Sequence, residues 1–228
     1  MPTQIESNPF PYSDSNKRYH TYDYFMKNRF GAKCAKLPLD GGFTCPNRDG
    51  VCGTGGCIYC SARGSGDFCS DAALPVAAQL EEAYGKLSQK WQNPRCIAYF
   101  QAFTGTYAPL DVLREKYEAA LIPPYVVGLS IATRADCLPD DVCAYLAELA
   151  GRTFLTVELG LQSVHDITAA RIRRGHTFAD FCDGYEKLRR ASDKINICVH
   201  LINGLPGEDH AMMLESARTG AAMRPDQL

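Results

Sequence analysis

The feature that most restricts what this chain can fold into is the order of its apolar patterns. From residue 34 onward, short apolar runs alternate with amphipathic stretches of helical period. Residues 34–39, 96–100, 125–132, 154–161 and 195–202 read as strands. Residues 75–90, 110–121, 139–150, 164–172, 178–191 and 209–223 read as helices. Val76, Leu80, Tyr84 and Leu87 form one apolar stripe on the first of these, and Pro123-Pro124 stops the second. Five β/α units in series imply parallel strands joined by right-handed crossovers. The class is therefore α/β, as a doubly wound sheet or a barrel, and the pattern alone does not separate the two. The first 33 residues read as an N-terminal extension and residues 34–228 as the core. Residues 223–228 look like a turn into a further strand, so the expectation is a core cut short before or at its sixth strand.

Composition narrows the function classes. The chain has 228 residues, 46% hydrophobic and 22% charged, which excludes a mostly disordered chain. The 24 Lys and Arg nearly balance the 26 Asp and Glu, so the overall charge gives no reason to expect nucleic acid. No run of 18 apolar residues is present, and no membrane span is expected. The polar start lacks the apolar core of a signal peptide, which predicts a cytoplasmic protein. The extension mixes Tyr12, Tyr19, Tyr22, Tyr24, Phe25 and Phe30 with Lys17, Arg18, Lys27, Arg29 and Lys33. Such a segment either packs its aromatics on the domain as a helix or touches RNA or a phosphate.

Eleven cysteines in a chain without a leader point to thiols or metal ligands rather than disulfides. Cys34, Cys96, Cys137, Cys143, Cys182 and Cys198 are scattered and read as small buried hydrophobes. Cys45, Cys52, Cys57, Cys60 and Cys69 fall within 25 residues, the first four of them in a glycine-rich loop, about 41–68, directly after the first strand. Such folds place their chemistry at the C-terminal ends of the strands. Three readings of the loop compete. Cys45, Cys52, Cys57 and Cys60 could hold zinc. Cys57 and Cys60 could form a redox dithiol. Either Cys45 or Cys52, with Cys57 and Cys60, could hold an iron–sulfur cluster and leave one iron open.

Further motifs carry a resemblance. Lys36-Leu-Pro-Leu-Asp-Gly-Gly-Phe-Thr-Cys45-Pro-Asn-Arg-Asp-Gly and Gly55-Gly-Cys57-Ile-Tyr-Cys60-Ser resemble radical S-adenosylmethionine (SAM) proteins of the YhcC/YtqA type. Val157-Glu-Leu-Gly-Leu-Gln-Ser163, Arg174-Gly-His-Thr177 and Gly204-Leu-Pro-Gly-Glu208 resemble the same superfamily. They are most similar to the branch with the catalytic subunit of Elongator and the oxygen-independent coproporphyrinogen oxidase. The resemblance implies a partial (β/α)6 TIM-type barrel with a [4Fe–4S] cluster after the first strand. It implies an enzyme that cleaves SAM reductively, so that a 5′-deoxyadenosyl radical takes hydrogen from a substrate. In that pattern Cys45, Cys57 and Cys60 match the cluster ligands, Cys52 is extra, and Tyr59 matches the aromatic beside the adenine. Gln101, Thr104 and Thr106 occupy the place of a Gly-Gly-Glu segment that holds the SAM amino group. Arg134, in Thr133-Arg134-Ala135-Asp136, meets either an anion or Asp136. Glu158 and Gln162 suit ribose hydroxyls, Arg174 matches an arginine that binds the SAM carboxylate, and His200 falls at a ribose-contacting position. Residues 204–208 would lie against the adenine, and Arg171 and Arg173 would form a solvated face. The family also implies an electron donor such as flavodoxin or ferredoxin. The likeness to Elongator raises tRNA as a partner.

Overall fold

The computed structural model describes residue 13 and residues 17–228. Tyr12 and most of the polar start lie outside the described residues. Five strands form one parallel sheet in the order β1 (Cys34–Leu39), β2 (Arg95–Phe100), β3 (Val126–Thr133), β4 (Phe154–Gln162) and β5 (Asn196–Leu201). A doubly wound sheet reverses its strand order at a switch point. Here spatial order equals chain order, which identifies the sheet as an unclosed, partial TIM-type barrel. At residues 226–227 the chain runs beside β5, with Gln227 bridged in parallel to Cys198.

The connections are helical: α2 (Val76–Ser88), α3 (Leu110–Leu121), α4 (Asp140–Arg152), α5 (Asp166–Arg171), α6 (Phe178–Ala191) and α7 (His210–Ala222). Their apolar stripes meet the outer face of the sheet. Cys96, Ala98 and Phe100 of β2, Leu129 and Ile131 of β3, and Leu155, Val157 and Leu159 of β4 alternate into that layer. Leu80, Leu113, Tyr117, Leu146 and Phe181 cover them, all without measurable exposure. A capping box between Thr177 and Asp180 starts α6 sharply after the Arg174 turn.

The inner face is layered, as barrel interiors are. At the strand N-termini lies a small apolar layer of Met26, Ile97 and Phe154. It is supplied partly by α1 (Tyr22–Phe30), whose Phe25 and Phe30 rings meet Phe154 at 6.1 and 5.6 Å between centroids. The aromatics of this segment therefore pack on the sheet, with Tyr19 left 61% exposed. Thr21 caps α1, and Gly31, at φ +69°, ends it in the left-handed conformation that glycine adopts without cost. Above this layer come polar residues, then a cavity.

Of the six scattered cysteines, Cys96, Cys137 and Cys143 are buried as expected, but Cys34, Cys182 and Cys198 are half-buried. Cys34 starts β1 beside the small lower layer, and Cys198 stands on the edge strand, so neither is fully covered. Burial pushes the Cys96 thiol up to about 12 and, with Asp136, that of Cys137 to about 12. Such thiols are inert. All eleven cysteines are free, and no helix among the described residues is long and apolar enough to cross a membrane.

Candidate active site

The cavity, about 360 Å³, lies at the C-terminal ends of the strands. Cys45, Cys57, Tyr59 and Cys60 reach it from the loop, Gln101 and Thr104 from the end of β2, and Arg134 from the end of β3. Glu158 and Gln162 reach it from β4, Arg174 from the turn after α5, and His200 from β5. Every one of these sequence-derived candidates thus lines one space. Cys52 is exposed and lies outside the lining, whereas Cys45 lines the cavity beside Cys57 and Cys60. Cys69 is buried elsewhere, its thiol pushed up to about 11 by burial and by Asp40. Thr106 departs from the expectation. It is turned away to bond Thr133 and the Cys137 carbonyl, and does not line the cavity.

The loop is held by its own backbone. Cys52 N–H and Gly53 N–H donate to the Pro46 carbonyl, and Gly56 N–H donates to that of Asn47. Ile58 N–H donates to the Ile172 carbonyl, which docks the loop on α5. Arg48 donates to the Ser61 and Ala62 carbonyls and lies 5.4 Å from the Phe103 ring centre. Gly64 allows that packing, since a Cβ there would sit 2.4 Å from the Phe103 ring.

Arg174 is 6% exposed. It donates through Nη2 to the Gly160 carbonyl at 2.6 Å, and Nη1 lies 3.9 Å from Cys57 Sγ. Its Nε has no partner among the described residues, and neither has the buried Gln162 Oε1. An unpaired buried donor and acceptor each carry a desolvation cost that a ligand would relieve. A bulge between Gly160 and Gln162 ends β4 and turns Gln162 inward at φ +69°. Phe103, at φ +59°, is similarly held. Non-glycine residues in this region cost about 1 to 3 kcal/mol each and gather at functional sites.

Arg134 takes the Asp136 alternative. It pairs with that carboxylate through Nε at 2.9 Å and Nη2 at 2.6 Å, and donates from Nη1 to the Arg174 carbonyl at 2.8 Å. Arg171 is exposed but donates to the Pro206 carbonyl at 2.7 Å, pinning the 204–208 turn to α5.

Beneath the cavity every strand contributes to one polar cluster. Lys36 of β1, Tyr99 of β2, Ser130 of β3 and His200 of β5 all donate to Glu158 of β4. Tyr99 Oη is at 3.0 Å and His200 Nε2 at 2.9 Å. Burial opposes ionisation of Glu158, but bonds from His200, Lys36 and Ser130 outweigh it and hold the carboxyl down at about 2. His200 is pushed up to about 10 by the Cys198 sulfur, 3.6 Å away, and by Glu158. Both Glu158 oxygens already accept twice, so the carboxylate serves as a counterion rather than as a ribose acceptor. Arg48, Tyr99, Phe103, Lys36 and Ser130 were not singled out from the sequence for this site. Only the inward parity of Lys36 and Tyr99 on their strands could have marked them.

These residues fit an iron–sulfur cluster with SAM. Three cysteines offer soft sulfur ligands, Asn47 Nδ2 and Arg174 Nη1 lie near Cys57 Sγ, and an orphaned guanidinium N–H and amide oxygen suit an amino acid and a ribose. Among the described residues no three His, Cys, Asp or Glu side chains converge on a single-ion site.

Known proteins are similar to this chain over most of its length. YtqA of Bacillus subtilis is 53% identical over 217 residues, covering 95% of this chain and 67% of that protein. YhcC of Escherichia coli K12 is 40% identical over 192 residues, covering 84% of this chain and 60% of that protein. The chain thus spans 60–67% of the length of these relatives. The structure of Methanocaldococcus infernus Elp3 with an N-terminal deletion superposes with a TM-score of 0.57 at 16% identity. That match covers 81% of this chain and 41% of Elp3, and shows a shared fold. The profile described as "Radical SAM superfamily" matches residues 48–219. With the profile spanning most of the barrel and the cysteine triad facing one cavity, the chain belongs to the radical SAM superfamily.

Proposed function

We propose that this chain is an enzyme that uses a [4Fe–4S] cluster to cleave SAM reductively and remove a hydrogen atom from a substrate. The observation that carries the reading is the meeting of Cys45, Cys57 and Cys60 with unpartnered Gln162 Oε1 and Arg174 Nε around one cavity. In this reading the three cysteines hold the cluster and leave one iron for the SAM amino and carboxylate groups. A bound, reduced cluster would supply one electron, which would split SAM into methionine and a 5′-deoxyadenosyl radical.

The chain's own work is binding, orientation and shielding. Arg174 directs its free Nε to a carboxylate, and Gln162 accepts from a ribose hydroxyl. Tyr59, 36% exposed, offers a flat ring to the nucleobase. Gln101 and Thr104 offer partners to the amino group. His200 meets the ribose from below, steadied by Glu158. Arg134 holds the wall that presents Arg174. An electron carrier of the flavodoxin or ferredoxin class delivers the electron.

The test is the electron paramagnetic resonance (EPR) spectrum of the anaerobically reconstituted, dithionite-reduced protein, with and without SAM. A reduced-cluster signal that shifts on adding SAM is expected. An unshifted signal, or a folded protein that takes up zinc and no iron, overturns the reading.

A further inference from the structure

The cysteine loop after β1 and the turn bearing Arg174 after α5 are far apart in the sequence, yet one buried side chain joins them. Asn47, 4% exposed, brings Nδ2 within 2.6 Å of the Arg173 carbonyl, 2.9 Å of the Arg174 carbonyl and 3.4 Å of Cys57 Sγ. Two carbonyls and the Cys57 sulfur are acceptors that share two N–H groups, so the NH2 end of the amide must face them. The opposite end is closely seated. A Cβ on Gly175, whose φ is +77°, would lie 2.4 Å from Asn47 Oδ1, and one on Gly53 would lie 3.3 Å away. Arg134 grips the same turn from the other side through the Arg174 and Gly175 carbonyls.

We infer that Asn47 is a positioning residue that seats Arg174 for the SAM carboxylate and donates a hydrogen bond to the cluster ligand Cys57. The inference rests on the function proposed above. An N–H directed at a ligating sulfur withdraws charge from it, stabilises the reduced cluster and raises its potential. The same amide fixes the backbone from which Arg174 projects, so its loss weakens SAM binding although Asn47 does not line the cavity.

The experiment compares Asn47→Leu with wild type, since leucine keeps the shape and removes the donor. Iron content, midpoint potential by EPR-monitored redox titration and the SAM concentration for half-maximal spectral change are measured on reconstituted protein. The expected result is wild-type iron, a lower potential and a SAM requirement raised about tenfold. An unchanged potential with unchanged SAM dependence overturns the inference while leaving the proposed function standing. So does a folded variant that takes up no iron. Should Asn47→Leu fail to fold by circular dichroism, the uncharged Asn47→Ala replaces it under the same criteria. A wild-type protein with no cluster overturns both readings.

Discussion

At the scale of single residues, the site depends on atoms that have no partner among the described residues. Arg174 can be tested by shortening its reach. Arg174→Lys keeps the charge but loses the fork that matches a carboxylate. The half-saturating SAM concentration, read from the EPR change, is expected to rise by at least about tenfold with iron content unchanged. Gly160→Ala acts on the same pair from the backbone. Its Cβ would lie 2.5 Å from Gln162 Nε2 and 3.0 Å from Arg174 Nη2, so SAM binding should weaken while the cluster still assembles. The cysteines divide sharply. Serine at Cys45, Cys57 or Cys60 is expected to abolish the reduced-cluster signal, whereas Cys52→Ser should retain it, because Cys52 faces solvent away from the cavity.

At the scale of elements, α1 is the part least expected to matter and the easiest to challenge. Met26→Ala removes a fully buried side chain between α1 and the strand N-termini. It should cost about 2 to 5 kcal/mol in urea unfolding, without moving the SAM dependence of the EPR signal. The β/α units were legible in the sequence because strong periods alternate along it and several are closed by glycine or proline, as in the run ended by Pro123-Pro124. The cysteine spacing alone left two triads open, and the choice of Cys45 and the place given to Arg174 came only through the family resemblance. What could not be read were contacts that only curvature of the sheet creates. No local pattern says that Lys36 and Ser130 meet the same carboxylate. None says that the Thr106 hydroxyl turns outward to Cys137 while Thr104 faces the cavity.

At the scale of the whole molecule, the Glu158 cluster makes stability depend on pH in two directions. Glu158 is held below its ordinary value of 4.5, so its contribution is present above pH 4.5 and is lost as pH falls towards about 2. His200 is held above its ordinary 6.5, so its contribution is complete below pH 6.5 and is lost as pH rises through about 10. The urea midpoint of the wild-type chain should therefore fall between pH 6.5 and 10. In His200→Gln that alkaline loss should be smaller, and an equal slope in both proteins would refute the coupling. The strand order carries a similar lesson. Alternation alone left a doubly wound sheet and a barrel equally open, and only the unbroken sequence of pairings from β1 to β5 decides between them.

The polar layer has one more consequence. Four strands send donors to a single carboxylate on the remaining one, so the hydrogen-bonding state of Glu158 depends on how tightly the sheet is curled. Its carboxylate stretching band in the infrared, identified by loss in Glu158→Gln, is then a vibrational gauge built into the interior. A ligand that draws the strands together or lets them spread would register as a shift in frequency, with no label added to the protein.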